Sequence, residues 1–134
     1  MTTHLERMRQ HRARQEVLRV WRFLREHYAR LADMPPPDLI MTAETGGNLA
    51  LAEMNNRVIE VNIDYFNLNF DVFMDEVLAH ECAHIAAWDL HYHEGHGKPW
   101  RRIMKRLGLK ARVRYQVVFP PAKAGRDNPA VSGI

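Results

Sequence analysis

The sequence predicts an α+β domain in which helices flank a small antiparallel sheet of three to four strands. Apolar residues recur every three or four positions near the amino terminus and again in the second half, a spacing typical of helices. Between these regions lie short apolar runs bounded by turn residues, which are typical of strands. With 134 residues, 46% of them apolar, the chain suffices for one modest core. We therefore expect a single domain over residues 1–134, with a core at about 15–119 and a flexible tail at 120–134.

The first helix is predicted from Leu5 to Ala32. Arginines crowd its first half, which has little apolar surface to bury and is expected to fray. Three prolines at positions 35–37 end the helix region, because proline cannot continue it. The apolar side is formed by Val17, Val20, Trp21, Leu24, Tyr28 and Leu31.

Three short strands are predicted next, at residues 39–41, 49–52 and 58–63. Sequences rich in glycine and asparagine separate them, which predicts tight turns and an antiparallel meander. In the last strand apolar and polar residues alternate, so one face should be covered by helices. We expect that face to place Ile59, Val61 and Ile63 in the core.

Two further helices are predicted in the second half. The first runs from near Asp71 to about Tyr92. The second begins near Pro99, a residue suited to the first turn of a helix, and ends at Gly108. A last short strand is expected at residues 113–119, where apolar residues alternate.

Charge is distributed unevenly along the chain, although the net charge is only +3. Residues 1–34 contain eight arginines against four acidic residues, and residues 35–97 contain one arginine against eleven acidic residues. Residues 98–119 contain eight lysines and arginines and no acidic residue. Basic ends favour a polyanionic partner such as nucleic acid. Solvated helix faces account for the same charges equally well.

The cysteine content and the hydropathy bear on localisation. Cys82 is the only cysteine, so the chain forms no internal disulfide and no cysteine-rich zinc site. This favours a cytoplasmic location, and we interpret Cys82 as a small packing residue. The amino terminus is charged, and no stretch approaches the roughly 18 apolar residues of a membrane span. We therefore expect no export and no membrane partner.

The His80-Glu81-x-x-His84 motif predicts a metal site. Residues four apart lie on the same side of a helix, so His80 and His84 can bind one ion. Glu81 projects beside that ion, where it can act as general base toward a water whose pKa zinc lowers to roughly 7. The alternative is a pair of surface histidines, which the apolar flanks of the motif disfavour.

A third ligand is expected among the histidines that follow. His91 lies seven residues beyond His84, about 10 Å further along a helix, which is too far to share an ion. The metzincin pattern requires a histidine six residues after the second ligand, but that position is Leu90. His96 lies between two glycines, where the chain can turn back toward the motif. It is the preferred third ligand, and His93 is the alternative.

Together these motifs resemble the SprT or Spartan family of zinc metallopeptidases over about residues 15–108. The resemblance rests on the His-Glu-Cys-Ala-His run at 80–84 and on the His-Gly-Lys-Pro-Trp run at 96–100, followed by Met104. It implies a minimal zincin-like α+β core, Trp100 packed near the site, and one Zn²⁺ per chain held by His80, His84 and His96. It also implies a zinc-dependent endopeptidase that cleaves unfolded or DNA-associated proteins, since eukaryotic members act on proteins crosslinked to DNA.

The sequence departs from the family pattern near its carboxyl end. Many members carry a cysteine-rich zinc ribbon after the protease core, whereas no cysteine follows Lys110. Without a ribbon, we expect basic residues near the carboxyl end to contact DNA, and the arginines of the amino terminus to contribute secondarily. Such contacts would associate the protein with the nucleoid. The alternative function is a DNA-binding or adaptor protein with a structural or vestigial zinc site. The predicted nucleic-acid-binding residues are Lys98, Arg101, Arg102, Lys105, Arg106, Lys110, Arg112 and Arg114.

Residues close to the motif in sequence are candidates for hydrogen bonds to the ligand imidazoles or to a substrate oxyanion. They are Asp89, Tyr92 and Glu94. Their spacing does not favour one over another.

Overall fold

A computed structural model describes residues 2–121. The α+β class is confirmed. Most of the predicted tail, at 122–134, lies outside the described residues. The elements are α1 (His4–His27), a 3₁₀ turn (Ala29–Leu31), β1 (Asp38–Thr42), β2 (Ala50–Glu53), β3 (Val58–Asn62), α2 (Ile63–Leu68), α3 (Phe70–Val72), a π-helical turn (Phe73–Val77), α4 (Leu78–His91) and α5 (Lys98–Arg106).

The sheet is mixed, so the predicted antiparallel meander is wrong. β3 is the central strand, with β1 parallel to it on one side and β2 antiparallel to it on the other. The loop at 43–49 turns at Gly46 and Gly47, which both have positive φ, and leads the chain from one edge of the sheet to the other. The central position of β3 in the sheet agrees with its apolar side, since Ile59 and Val61 are fully buried.

Two other strand predictions are corrected. Ile63 is partly exposed and begins α2, because the Asn62 side chain accepts hydrogen bonds from the next two free amides and so starts a helix. The C-terminal segment (residues 109–119) forms no strand beyond an isolated bridge at Arg114. Asn69 holds this segment: its amide donates to the Val118 carbonyl at 2.8 Å and accepts from the Val118 N–H at 2.7 Å.

The amino-terminal helix begins at His4, and its first half is helical from the start although it is largely exposed. A capping box explains this: the Thr3 side chain accepts from the Glu6 N–H, and the Glu6 carboxylate accepts from the Thr3 N–H, both at 3.1 Å. The guanidinium groups of Arg9 and Arg12 also lie 5.1 and 5.3 Å from the centre of the Phe70 ring. These contacts attach the basic half of α1 to the rest of the fold.

Helical structure then continues from residue 70 to residue 91, close to the predicted bounds. The π turn adds one residue to a helical turn, a feature often found beside functional sites. Beyond it, α4 is buried on every side from Leu78 to Ala87, because α1, β2 and α5 pack around it. The metal motif therefore lies at the centre of the core. Within residues 2–121, none of the helices combines the length and hydropathy of a bilayer-crossing segment.

Candidate metal centre

The α4 helix presents its two motif histidines side by side, as the sequence predicts. Their Nε2 atoms lie 3.1 Å apart. Both side chains are buried, with exposed fractions of 0% for His80 and 2% for His84. Ligands one helical turn apart thus converge on one point inside the protein.

His96 completes the group. Tyr92 ends α4 in the left-handed conformation, with φ of 52°, and Gly95 turns the chain again with φ of 83°. These turns return His96 to the helix, where its Nε2 lies 3.2 Å from the Nε2 atoms of both His80 and His84. The structure thus favours the preferred candidate of the sequence analysis as the third member of the cluster.

The other two histidines do not join the cluster within the described residues. His91 is exposed and lines a separate cavity, in keeping with its distance along the helix. The His93 ring packs against Gly97, where an added Cβ would lie only 2.8 Å from its Cε1 atom. Close packing against a histidine ring therefore explains why glycine suits the position after His96.

The three imidazoles fit a metal ion. Tetrahedral ligands at 2.0–2.1 Å from zinc are separated from each other by about 3.3 Å, close to the 3.1–3.2 Å between the Nε2 atoms. Neutral imidazoles cannot satisfy one another around such a triangle, since each Nε2 is either a donor or an acceptor. His80, His84 and His96 can therefore hold a metal ion.

The electrostatics keep these rings neutral, which is the form that binds a metal. Burial, followed by the charge of His96, lowers the pKa of His84 to about 3. Burial also lowers the pKa of His80 well below its ordinary value, with His84 and His96 adding to the shift. The backbone of Arg112 lies near His80 and partly opposes this lowering of the pKa. The contact falls short of a hydrogen bond, because His80 Nδ1 has no partner among the described residues. Burial lowers the pKa of His96 as well, aided by Arg101.

Glu81 directly follows His80 in α4 and is fully buried. Neither of its carboxylate oxygens has a hydrogen-bond partner among the described residues. Burial raises its pKa well above the ordinary value, so this carboxylate is a stronger base than an exposed one. The neighbouring Cys82 is buried in the core, where desolvation raises the pKa of its thiol, in agreement with a packing role.

Trp100 forms one wall of the centre. Its indole Nε1 donates to the His80 carbonyl at 3.2 Å, and its ring stacks on that of His84 with centroids 5.4 Å apart. The ring centroids of His80 and His96 both lie 4.7 Å from it. A fully buried side chain of α5 thus contacts all three histidines.

Comparisons with known proteins agree with this arrangement. The family model described as the SprT-like family matches residues 6–118. The chain belongs to the SprT-like family. It is 34% identical over 107 residues to the proteins named SprT of Salmonella arizonae and Salmonella newport, an alignment that covers 72% of this chain and 62% of each relative. The chain thus spans about three fifths of the length of these curated relatives, and no solved structure matches it.

The family match extends over the whole metal centre and most of the C-terminal segment. That segment supplies a residue that the sequence analysis assigned only to a strand. Tyr115 is buried, and its ring centroid lies 6.2 Å from that of His80. No local signal distinguishes it, because its place depends on the segment folding back over α4.

The candidates for supporting hydrogen bonds lie elsewhere. The Asp89 carboxylate accepts from Arg57 Nη1 at 2.7 and 2.8 Å, and Arg57 Nη2 also donates to the Pro35 carbonyl. Tyr92 is 78% exposed, and Glu94 is exposed as well. Asp89 therefore anchors α4 to the turn before β3. Within the described residues, the structure shows no hydrogen bond from Asp89, Tyr92 or Glu94 to the three histidines.

The predicted nucleic-acid-binding residues are all exposed. Arg112 lies 3.6 Å from the Glu76 carboxylate. Three cations of α5 line a cavity of about 580 Å³ together with Tyr28 and His91. They are Arg102, Lys105 and Arg106.

Proposed function

We propose that this SprT-like protein is a zinc-dependent endopeptidase in which His80, His84 and His96 hold the metal and Glu81 is the general base. The observation that carries the proposal is the convergence of three imidazoles, two of them from a helix that also holds a buried carboxylate without a partner among the described residues. Three nitrogen ligands that leave a fourth position open are typical of catalytic zinc. One ion per chain would fill the centre.

Bound zinc would supply the positive charge that polarises a water molecule and the scissile carbonyl. Glu81 would take a proton from the attacking water and return it to the departing amine nitrogen. Its raised pKa favours the first step, since it strengthens the carboxylate as a base. Trp100 and the rest of the surrounding core keep bulk water away from the reacting groups.

The substrate class that we propose is unfolded or DNA-associated protein, cleaved in the cytoplasm. β2 is an edge strand and packs against α4. An extended peptide can pair with such an edge through backbone hydrogen bonds. A folded helix cannot offer its backbone in this way, so the edge favours unfolded segments.

Glu81→Gln tests the peptidase proposal, because the amide keeps the shape of the side chain and loses the base. We expect the zinc-loaded wild type to cleave casein, and Glu81→Gln to retain one zinc per chain while losing at least about 10²-fold in turnover. Asp75→Asn, which changes an exposed carboxylate of the same helical stretch, is the matched control and should behave like wild type. Full casein cleavage by Glu81→Gln would contradict the assignment of the base.

A second candidate function is DNA binding, either alongside peptide hydrolysis or in an adaptor protein with a structural zinc site. The cavity at Arg102, Lys105 and Arg106 favours it, because exposed cations around one depression suit a phosphate backbone. Reversing Arg102 and Lys105 to glutamate should weaken binding of single-stranded DNA and lower the salt slope by about two. Replacing the exposed turn residues Asn55 and Asn56 with aspartate, which adds negative charge away from the basic segments, is the control for net charge. Strong salt-sensitive binding without any cleavage would favour the adaptor.

A further inference from the structure

Tyr115 brings its ring against His80 of the metal centre from outside both histidine motifs. Only 3% of its surface is exposed, and its ring meets that of His80 at an angle of 69°. Burial raises the pKa of the phenol, and the charges of Glu76 and Glu81 raise it further against the opposing effect of Arg112. A phenol is protonated at neutral pH even without this shift, so the hydroxyl is available as a hydrogen-bond donor.

The hydroxyl belongs to a concentration of buried polar atoms that lack partners. Within residues 2–121, seven such side-chain atoms occur, and four of them belong to His80, Glu81 and Tyr115. A purely structural role would not require a hydroxyl here, since phenylalanine fills the same space without leaving a buried donor unsatisfied. The four atoms are His80 Nδ1, Glu81 Oε1, Glu81 Oε2 and Tyr115 Oη.

We propose that Tyr115 is a catalytic residue whose hydroxyl donates a hydrogen bond to the oxygen of the scissile carbonyl as that oxygen gains negative charge. This inference rests on the proposed peptidase function. Donors aimed at a developing oxyanion act strongly in a buried site, where water does not compete. Tyr115 lies beside His80, with ring centroids 6.2 Å apart, and its hydroxyl has no hydrogen-bond partner among the described residues.

The proton accounting separates Tyr115 from Glu81. The water oxygen forms a bond to the carbonyl carbon, and the π electrons of the C=O bond move to the carbonyl oxygen. Tyr115 donates a hydrogen bond to that oxygen and keeps its own proton throughout. Glu81 accepts the proton of the water and passes it to the nitrogen when the C–N bond breaks.

The fold holds Tyr115 in place from both sides. Three residues beyond it, Val118 exchanges two hydrogen bonds with Asn69. Three residues before it, Arg112 forms an ion pair with Glu76 of the π turn. An irregular segment secured on both sides of one buried tyrosine is a suitable support for a catalytic hydroxyl, because it fixes the position of the ring.

Tyr115→Phe in the full-length zinc-loaded protein tests the inference. We expect kcat for a casein-derived peptide to fall by about 10²-fold with little change in KM. A phosphinic analogue of that peptide, whose tetrahedral oxygens resemble the charged intermediate, should bind at least about tenfold more weakly. The metal-free variant should unfold at the same temperature as wild type or higher, whereas a structural tyrosine would lower that temperature. Tyr28→Phe, at a partly buried tyrosine outside the centre, is the matched control.

The possible results are distinct. A variant that binds zinc and retains wild-type kcat and analogue affinity would overturn the role of Tyr115 and leave the peptidase intact. The role of Tyr115 is also overturned if His93→Ala loses the activity and Tyr115→Phe does not, because His93 would then be the donor. If the zinc-loaded wild type cleaves nothing under conditions where it binds metal, the proposed function fails, and this inference fails with it.

Discussion

The two fully buried tryptophans allow a controlled test of whether Trp100 belongs to the metal centre or only to the core. Both are at most 1% exposed, and each donates its indole N–H to a backbone carbonyl, Trp100 to His80 at 3.2 Å and Trp21 to Met34 at 3.0 Å. Only Trp100 contacts the histidines of the centre. Substitution by phenylalanine therefore removes similar interactions at both positions, but from different surroundings.

The expected loss of stability is the same for Trp100→Phe and Trp21→Phe. Losing the indole hydrogen bond costs about 1 kcal/mol, and the smaller ring costs roughly another 1 kcal/mol in lost transfer energy and cavity. A total of about 2 kcal/mol corresponds to a fall of roughly 8 °C in the unfolding temperature of a domain of this size. Urea and thermal unfolding of the metal-free proteins measure this loss.

Zinc affinity should separate the two variants. Removing a residue that orients metal ligands typically costs about 10- to 100-fold in affinity, so we expect Trp100→Phe to bind zinc at least tenfold more weakly than wild type. Trp21→Phe should bind zinc as wild type does. Competition with a chromogenic chelator gives both constants. Equal zinc affinities for wild type and the two variants, at equal loss of stability, would refute a role for Trp100 in the metal centre.

Three other predictions concern pH, an ion pair and a glycine. In the metal-free protein, His80, His84 and His96 have lowered pKa values and take up protons on unfolding at acid pH, whereas Glu81, with its raised pKa, releases one. Stability should therefore fall as the pH drops below about 6.5, and it should fall more steeply in Glu81→Gln, as urea titrations would show. Asp89→Ala, which removes the carboxylate partner of the partly buried Arg57, should lower the free energy of unfolding by about 2 kcal/mol, and a loss below about 0.5 kcal/mol would contradict it. Gly97→Ala, which crowds His93, should cost roughly 1 kcal/mol, recovered by adding His93→Ala in a double-mutant cycle.

The parts of the centre that the sequence predicts correctly depend on local geometry. The convergence of His80 and His84 follows from helical spacing alone. The chain turns back and brings His96 to α4 because glycines flank His96 and because α4 ends before it. The end of α4 is visible in the sequence, where the helical spacing of apolar residues stops. In each case the decisive contacts lie within one helix or one short turn, so a single sequence contains the information.

The wrong predictions concern contacts between segments that are distant in sequence. Strand direction depends on where the 43–49 loop carries the chain, and glycine-rich turns predict a reversal without indicating which strand becomes the neighbour. The role of Asp89 depends on Arg57, 32 residues earlier, whereas closeness in sequence associates Asp89 with the ligands. Tyr115 lies 35 residues beyond His80, and its alternating apolar neighbours give the same signal as an ordinary strand.

The position of the metal motif at the centre of the core links these findings. α4 is buried on every side, yet His80, Glu81 and His84 occupy positions where apolar residues would pack without any cost of desolvation. A buried ligand set of this kind resists charging, as the lowered pKa values of the histidines show. The same burial raises the basicity of Glu81 and keeps the Tyr115 hydroxyl protonated, since it raises the pKa of both groups. One physical cause, removal of these groups from water, thus shifts the pKa values of the histidines, of Glu81 and of Tyr115, and each shift favours the role that we propose for that group.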